Sequence, residues 1–295
     1  MRPPYPVSLV PLFPQFLQRR NTRLDFPLRA MERHGIDRPA YLFVVQSLGL
    51  ADPAGATLAE VGSLYATLWE GTQAAAATAQ GSGLVTHDPH GQERWLLTDA
   101  GRLLLDEHRR AVAAHHAALA PIDRADLGRL AALLDRAFAA GAAAAEPVTR
   151  LRTPRAHRYR WTAPASELAA LDAAVFGLWQ LRDDCHLQAW MDAGLTAPVL
   201  DVLTRLWRGE AATPSELAVL ITGQRETEIG AAIAELRSGG LVEGDGLALT
   251  PQGSEVRERI ESETNRYFFA PWPDDVGGQA EWIRTTLSRV NDALA

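Results

Sequence analysis

The stretch from Thr213 to Gly253 constrains the fold more strongly than any other part of the chain. Thr213 and Glu216 stand at the spacing of a capping box, with proline at the first helical position, and this predicts a helix start. A second helix is predicted from Glu226 to Arg237. Its inward face carries apolar residues at helical spacing, namely Ile229, Ile233 and Leu236. The glycines at 239–240 stop this helix, and two short apolar runs around a turn at 243–246 predict a hairpin.

The same order of features occurs a second time, from Thr57 to Gly101. Thr57 and Glu60 repeat the capping box, and Leu97 to Gly101 repeats the L-T-x-x-G pattern of residues 249–253. Two helices followed by a hairpin are typical of a winged helix-turn-helix unit. The sequence therefore predicts an internal duplication and a mainly α fold with small β-wings. Two winged helix-turn-helix units in one chain would be joined by long helices as a pseudo-dimer.

The length of 295 residues favours two domains. The first is predicted over 1–140, where a helix from Phe13 to His34 precedes the winged unit with its motif at 57–101. Residues 141–164 are predicted to be an Arg-rich linker. The second winged unit is predicted over 165–295, with its motif at 213–253 and long helices on both sides.

Composition limits the classes of function. The chain has one cysteine, Cys185, which fits a reducing compartment and a small core residue without reactivity. No signal peptide and no apolar run long enough to span a membrane are found, so a cytoplasmic protein without a membrane partner is expected. Neither a cofactor nor a metal is implied by the sequence. The net charge of −7 argues against a strongly basic nucleic-acid binder, although local patches can override it.

A winged helix normally places its second motif helix in the major groove and its wing on the DNA backbone. In the second unit, the predicted DNA-contacting residues at and near that helix are Gln224, Arg225, Thr227, Arg237, Arg205 and Arg208. In the first unit they are Gln73, Gln80 and Arg94. The first unit has no arginine from Pro39 to Glu93, and three glutamates share the second motif helix. The fold is therefore predicted more firmly than DNA binding, and a motif used only for packing is the rival interpretation.

Five arginines lie between Arg150 and Arg160, next to Tyr159 and Trp161. Such a mixture can bind phosphates and stack on bases. The alternative, which the notable excess of acidic residues favours, is that these arginines pair with carboxylates of the same protein.

Another group of residues suggests small-molecule chemistry. Asp184 and His186 stand close together on a predicted helix from Ser166 to Ala193, and aromatic residues are concentrated in the second half. A pocket for an apolar effector is predicted from Asp184, His186, Trp190 and Trp272. Acid–base catalysis by Asp184 and His186 is the weakest alternative, and an ion-paired or capping cluster where helices meet is the preferred one.

The order of helices, wing and following L-T-x-x-G helix resembles the MarR-type winged-helix regulators, whose post-wing helix belongs to a dimerisation region. The second half also resembles an actinobacterial helix-turn-helix family of largely unknown function, over about residues 165–277. The matching residues are Arg182 to His186, Ala189, Ala193 to Leu195, Glu261, Thr264, Pro271 and Trp272. That family typically has Gly where this chain has Asp183, and Asp where it has Asn265.

These observations predict a MarR-like, ligand-responsive transcriptional regulator that binds double-stranded DNA as a monomeric pseudo-dimer or a homodimer. The second hypothesis is a pair of winged helices that binds a small molecule or a protein instead of DNA. The third is an enzyme that uses Asp184 and His186.

Overall fold

The computed structural model describes residues 5–62, 66, 69–90, 93–159, 166–244 and 246–295. The first helices in chain order are α1 (Leu12–Arg19), α2 (Phe26–His34), α3 (Arg38–Leu42), α4 (Leu58–Val61), α5 (Glu70–Gly81), α6 (Asp99–Ala118) and α7 (Arg124–Ala143). The following helices are α8 (Thr153–Tyr159), α9 (Glu167–Asp192), α10 (Ala197–Trp207), α11 (Pro214–Leu220), α12 (Glu226–Ser238), α13 (Pro251–Phe269), α14 (Asp274–Gly277) and α15 (Ala280–Ala293). The strands are β1 (Val85–His87), β2 (Trp95–Leu97), β3 (Val242–Glu243) and β4 (Ala248–Leu249). The protein is thus mainly helical, and none of the helices in these ranges is long and apolar enough to cross a bilayer.

The largest hydrophobic core surrounds α9. This helix has apolar residues on all sides, and such a helix is buried. It packs against α7 and α13, and also contacts α8 and α1. Leu134 and Phe138 of α7 meet Leu171 and Leu178 of α9 in this core. The core therefore unites residues from both sides of the segment 141–164.

The first helix-turn-helix begins with the predicted capping box. The Thr57 hydroxyl accepts the Glu60 amide, and the Glu60 carboxylate accepts the Thr57 amide at 2.8 Å. Strands β1 and β2 then pair antiparallel, with Val85 opposite Leu97. A second core is formed here, mainly by α3, a π-helical segment over Phe43–Leu48, α5, the hairpin and α6.

The second helix-turn-helix repeats these local contacts. Thr213 and Glu216 form the capping box at the start of α11, and β3 pairs with β4 through Val242 and Leu249. The buried faces of α10, α11 and α12 form a third core. It includes Leu203, Leu217 and the three predicted inward residues of α12, Ile229, Ile233 and Leu236.

The threonine after each hairpin makes the same set of hydrogen bonds. Thr98 Oγ1 donates to Gly83 O at 2.7 Å and accepts from Gly101 N at 3.1 Å. Thr250 Oγ1 donates to Gly240 O at 2.8 Å and accepts from Gly253 N at 3.0 Å. Each L-T-x-x-G pattern therefore fastens the start of the post-hairpin helix to the end of the motif helix.

Close packing explains the glycine of this pattern. A Cβ atom built on Gly101 would lie 2.1 Å from Leu84 O, and one built on Gly253 would lie 2.2 Å from Leu241 O. Real Cβ atoms do not approach backbone oxygens so closely, so both positions require glycine.

Two predicted segments differ from the structure. The predicted helix from Phe13 to His34 is two helices, because Pro27 near the start of α2 suits a new helix start rather than a helix interior. Residues 141–164, predicted as a linker, contain α8, whose N-terminus is held by Asp184. Arg160 and residues 161–164 lie outside the described ranges. The division into domains at 140 and 165 stays a prediction.

Candidate functional site

Helix α12 exposes its first turn, where the sequence predicts contacts with DNA. Arg225 and Thr227 are both exposed, and the Arg225 side chain has 62 % of its surface accessible. Arg225 also takes part in local capping, because its amide donates to Glu228 Oε2 at 2.8 Å and its guanidinium lies 3.7 Å from Glu228 Oε1. This turn is therefore accessible to a DNA groove, but the carboxylate of Glu228 lies beside Arg225.

The other arginines predicted around α12 have intramolecular partners. Arg205 bonds Asp201 at 3.3 Å and Glu210 at 2.6 Å, and Arg208 lies 3.6 Å from Glu210. Arg237 donates to Gly244 O at 3.0 Å, in the turn between β3 and β4. A phosphate would have to share these arginines with carboxylates, which lowers the electrostatic gain of binding.

The first motif offers less positive charge. Gln73 and Gln80 of α5 are exposed, but α5 contains no basic residue. Arg94 instead holds the loop before α4, because it donates to Gly55 O at 2.8 Å and lies 3.1 Å from the Glu60 carboxylate. Arg94, the residue predicted to contact DNA from the first wing, is thus bound to other residues of the protein.

The turns of the two helix-turn-helix motifs touch each other. A Cβ atom built on Gly223 would lie 3.0 Å from the Cβ atom of Ala66. The neighbouring Gln224 is only 5 % exposed, which leaves little of this side chain for a base contact. Helix α5 starts four positions after Ala66, and α12 starts three positions after Gly223. Even a fully extended chain therefore limits the distance between the two helix starts to about 30 Å.

The described arginines of the run at 150–160 donate to backbone carbonyls. Arg150 donates to Ala144 O at 3.0 Å, and Arg152 donates to Gly62 O at 2.5 Å. Arg158 donates to Leu50 O at 2.9 Å. Arg155 makes one long bond of 3.4 Å to Gln46 O. Helix α8 thus reaches across to the first helix-turn-helix, while Arg160 lies outside the described residues.

Asp184 has a capping role, in agreement with the preferred interpretation of its cluster as an ion-paired or capping group where helices meet. Its side chain is fully buried, and its two carboxylate oxygens accept the amides of Leu151, Arg152 and Thr153 at 2.8–2.9 Å. It also accepts the Thr153 hydroxyl at 2.7 Å. These four bonds cap α8 and leave the carboxylate no room to act as a general base.

The remaining predicted pocket residues pack into the protein. His186 Nδ1 lies 3.1 Å from Thr264 Oγ1, and burial lowers the pKa of this imidazole to about 4. Trp190 and Trp272 are buried members of the largest core. Burial also raises the pKa of the Cys185 thiol to about 12, which agrees with the predicted inert role. Asp184 and His186 point to different neighbours, so the structure does not bring these four residues into one site.

A cavity of about 520 Å³ lies on another face of α9, where α1, the π-helical segment, α6 and α8 converge. We call it the junction cavity. Its polar residues include Arg20, Arg109, Arg152, Arg155, Gln180 and Asp183. Its aromatic residues are Tyr159, Phe176 and Trp179, and the rings of Tyr159 and Phe176 stack with centroids 4.2 Å apart. The volume falls within the range of small-molecule sites.

The charges of the junction cavity are perturbed by burial. Burial, together with the nearby Arg152, lowers the pKa of Arg155 to about 10. Burial raises the pKa of the Asp183 carboxyl to about 6, against the opposing effect of Arg152. Burial and Arg20 lower the pKa of His108 to about 4, so this histidine is neutral at pH 7. Such perturbed groups around a cavity are typical of functional sites.

Sequence reasoning missed this cavity. Phe176, Trp179, Gln180 and Asp183 stand at i, i+3, i+4 and i+7 on α9, so a stripe of mixed polar and aromatic residues was available as a signal. The arginines that complete the site come from α1, α6 and α8, and no local pattern indicates that these elements converge. The sequence therefore indicated the residues of one cavity wall but not that the other walls come together around it.

No group of three or more His, Cys, Asp or Glu residues within the described ranges is arranged to hold a metal ion. Among known protein families, a model described as a helix-turn-helix family matches residues 71–295. Comparisons with curated proteins and with solved structures gave no match.

Proposed function

Because the chain belongs to the helix-turn-helix family that matches most of its length, we propose that it is a DNA-binding transcriptional regulator. The observation that carries the proposal is that α12 has one buried face and an exposed first turn. Its rear face, with Ile229 and Ile233, is buried, and its first turn exposes Arg225 and Thr227 to solvent. A recognition helix needs this arrangement. Such a regulator acts in the cytoplasm.

The finer proposal is a duplicated, MarR-like chain with two winged units. The matching hydrogen bonds of Thr98 and Thr250, and the matching close approaches of Gly101 and Gly253, support the duplication. Arg94 is engaged within the protein and Gln224 is buried, so the proposed DNA contact is made by the second unit through Arg225 and Thr227.

The contact between Gly223 and Ala66 bears on how such a pseudo-dimer reads DNA. Dimeric helix-turn-helix proteins place their recognition helices about 34–36 Å apart, one turn of DNA. The starts of α5 and α12 lie within about 30 Å of each other here. The distance between the centres of α5 and α12 decides whether one motif or both can contact DNA. A ligand that separates the motifs would change DNA affinity by a population shift.

Retention of DNA tests the proposal. Purified protein is mixed with sheared DNA from its own source at low and moderate salt, and bound fragments are sequenced. We expect selective retention that falls with salt and falls at least several-fold in Arg225→Ala. Arg136→Ala is the matched control, because Arg136 is an exposed arginine that pairs with Asp275. No retention at low salt would contradict the proposal.

The second candidate function is a small-molecule-binding protein that has lost DNA binding. The ion pairs of Arg205 and Arg208 and the burial of Gln224 favour it, because they remove contacts that a DNA reader needs. The same experiment separates the two functions.

A further inference from the structure

A groove of about 410 Å³ lies between α11 and α12 on the surface of the second motif. Its lining includes the apolar residues Ala218, Ile229 and Ile233. Val219 of α11 also lines it, with 77 % of its surface exposed. The charged residue of the lining is Glu226, which has no ion-pair partner among the described residues. The groove thus combines uncovered apolar surface with an unpaired carboxylate.

The chain around this groove is acidic. Seven acidic residues and only two arginines stand between positions 210 and 245. Arg225 lies 3.7 Å from Glu228, and Arg237 donates to Gly244 O, so both arginines are already engaged. Such a surface favours a partner that carries positive charge next to its own apolar residues.

A surface of this opposite character lies where α2 meets α6. Leu28 of α2 is 61 % exposed and Leu103 of α6 is 58 % exposed. An ion pair between Arg33 and Glu107 joins the two helices. Arg29 precedes Arg33 by one helical turn, and Leu103 precedes Glu107 by one turn, so the ion pair brings these side chains to one surface. We call it the α2–α6 surface, which consists of Leu28, Arg29, Glu32, Arg33, Leu103, Glu107 and Arg110.

The α2–α6 surface has a surplus of unpaired positive charge. Arg29 and Arg110 are exposed and have no acidic partner among the described residues. Glu107 is engaged by Arg33, which leaves Glu32 as the unpaired acid of this surface. The surface therefore complements the groove in charge, and both expose apolar side chains. Exposed apolar residues that are grouped in this way mark interaction sites.

Leu28 and Val219 are both exposed in one copy of the chain, so the two surfaces do not cover each other within it. An amphipathic helix that lays its apolar residues into a groove is a common mode of protein recognition. We propose that a second copy of this chain docks its α2–α6 surface in the groove between α11 and α12, with Leu28 against Val219 and Arg29 beside Glu226.

This contact would regulate the site proposed above. Glu226 and Gly230 of α12 line the groove, and Glu226 stands between Arg225 and Thr227 in the chain. A docked copy would therefore withhold the first turn of α12 from DNA. This consequence rests on the proposed function, whereas the association of two copies does not.

Cross-linking of full-length chains tests the contact without DNA. Leu28→Cys and Val219→Cys are purified separately, mixed and mildly oxidised, and the native Cys185 is buried and should not react. Because docking raises the effective concentration of the two thiols, we expect their mixed disulfide to form at least about tenfold faster than that of Leu28→Cys with Val148→Cys. Val148 is the matched control, because it is an exposed apolar residue outside both surfaces. Equal rates for the two mixtures, or faster linkage of Leu28→Cys to itself, would overturn the proposal.

Reversal of charge tests the same contact by light scattering of concentrated protein at low salt. Arg29→Glu and Glu226→Arg should each lower the average molar mass toward that of the monomer, because like charges then meet. A mixture of the two variants should recover the wild-type mass, since every contact between unlike copies again joins opposite charges. Glu243→Arg, at an exposed acid outside the groove, should associate as the wild type does. A wild-type protein that stays monomeric, or a mixture without recovery, would overturn the proposal and leave the groove to another protein or to DNA.

Retention of DNA then separates this proposal from the proposed function. The purified mixed disulfide of Leu28→Cys and Val219→Cys should retain at most about half as much DNA per chain as the reduced mixture, because at least one of its two grooves is covered. Equal retention would contradict the withholding of α12. Loss of DNA retention in both forms would contradict the proposed function, while the cross-linking result would still decide whether two copies associate.

Discussion

Gly223 in the turn of the second helix-turn-helix lies against Ala66 of the first, with a built Cβ at Gly223 only 3.0 Å from the Cβ of Ala66. A larger side chain at this glycine cannot fit without moving one motif. We expect Gly223→Leu to lengthen the distance between spin labels on Gln73→Cys and Thr227→Cys, two exposed positions at the motif helices. Cys185 is buried and should not compete for the label.

The matched control for this experiment is Gly230→Leu, because a Cβ at Gly230 meets no atom within 4 Å. It should leave the distance distribution as in the parent. If Gly223→Leu also leaves it unchanged, the contact does not hold the two motifs in place.

The glycines of the two L-T-x-x-G patterns should respond alike to alanine. A Cβ at either position would lie 2.1–2.2 Å from a backbone oxygen, so the post-hairpin helix must shift away from the hairpin. We expect Gly101→Ala and Gly253→Ala each to lower the free energy of unfolding by at least about 2 kcal/mol in urea titrations. Gly230→Ala, on an open helix face, should instead gain up to about 1 kcal/mol. A tolerated alanine at one site would show that the two patterns are not equivalent.

Asp184 should be indispensable for stability. Asp184→Ala removes the acceptor of three backbone amides and one hydroxyl around the start of α8. Because buried donors without partners are costly, we expect a loss of at least about 3 kcal/mol in urea unfolding. Asp183→Asn, one position away, should show no such loss, because Asp183 accepts no hydrogen bond from the described residues. A stable Asp184→Ala protein would argue against the capping role.

Asp183 should make stability depend on pH in the opposite sense to a paired carboxylate. Burial raises its pKa in the folded protein from 3.8 to about 6, so the folded chain holds this proton more tightly than the unfolded chain. The cost of ionisation is absent below pH 3.8, grows between pH 3.8 and 6, and is complete above that. Asp183→Asn removes this cost, and should be more stable than wild type by on the order of 1–3 kcal/mol at pH 8.

Urea unfolding of both proteins at pH 4, 6 and 8 measures this difference, and their stabilities should converge at pH 4. A difference that is constant across this range would assign the effect to the amide itself rather than to the charge.

The features predicted correctly from the sequence are local. The capping boxes at Thr57 and Thr213 depend on residues three positions apart, and both form. The buried face of α12 follows from a spacing within one helix. Patterns over a few residues determine such features, because the atoms that make them are neighbours in the chain.

The features missed are contacts between distant residues. Arg158 bonds Leu50 and Arg152 bonds Gly62, about a hundred residues away, so composition alone suggested acids as their partners. The contact of Gly223 with Ala66 likewise joins residues that are far apart in the chain. No periodicity within a single element contains that information, so the sequence grouped Asp184, His186, Trp190 and Trp272 without indicating the junction cavity.

The joint core of α7 and α9 has an evolutionary consequence. Leu134 and Phe138 on one side, and Leu171 and Leu178 on the other, belong to one buried core that spans the proposed boundary of the duplication. A gene truncated to either half would encode a product with this apolar surface open to water, prone to aggregate rather than to fold. For the proposed duplication, this shared core implies that a fusion of the two copies is difficult to reverse, because neither half buries the surface by itself.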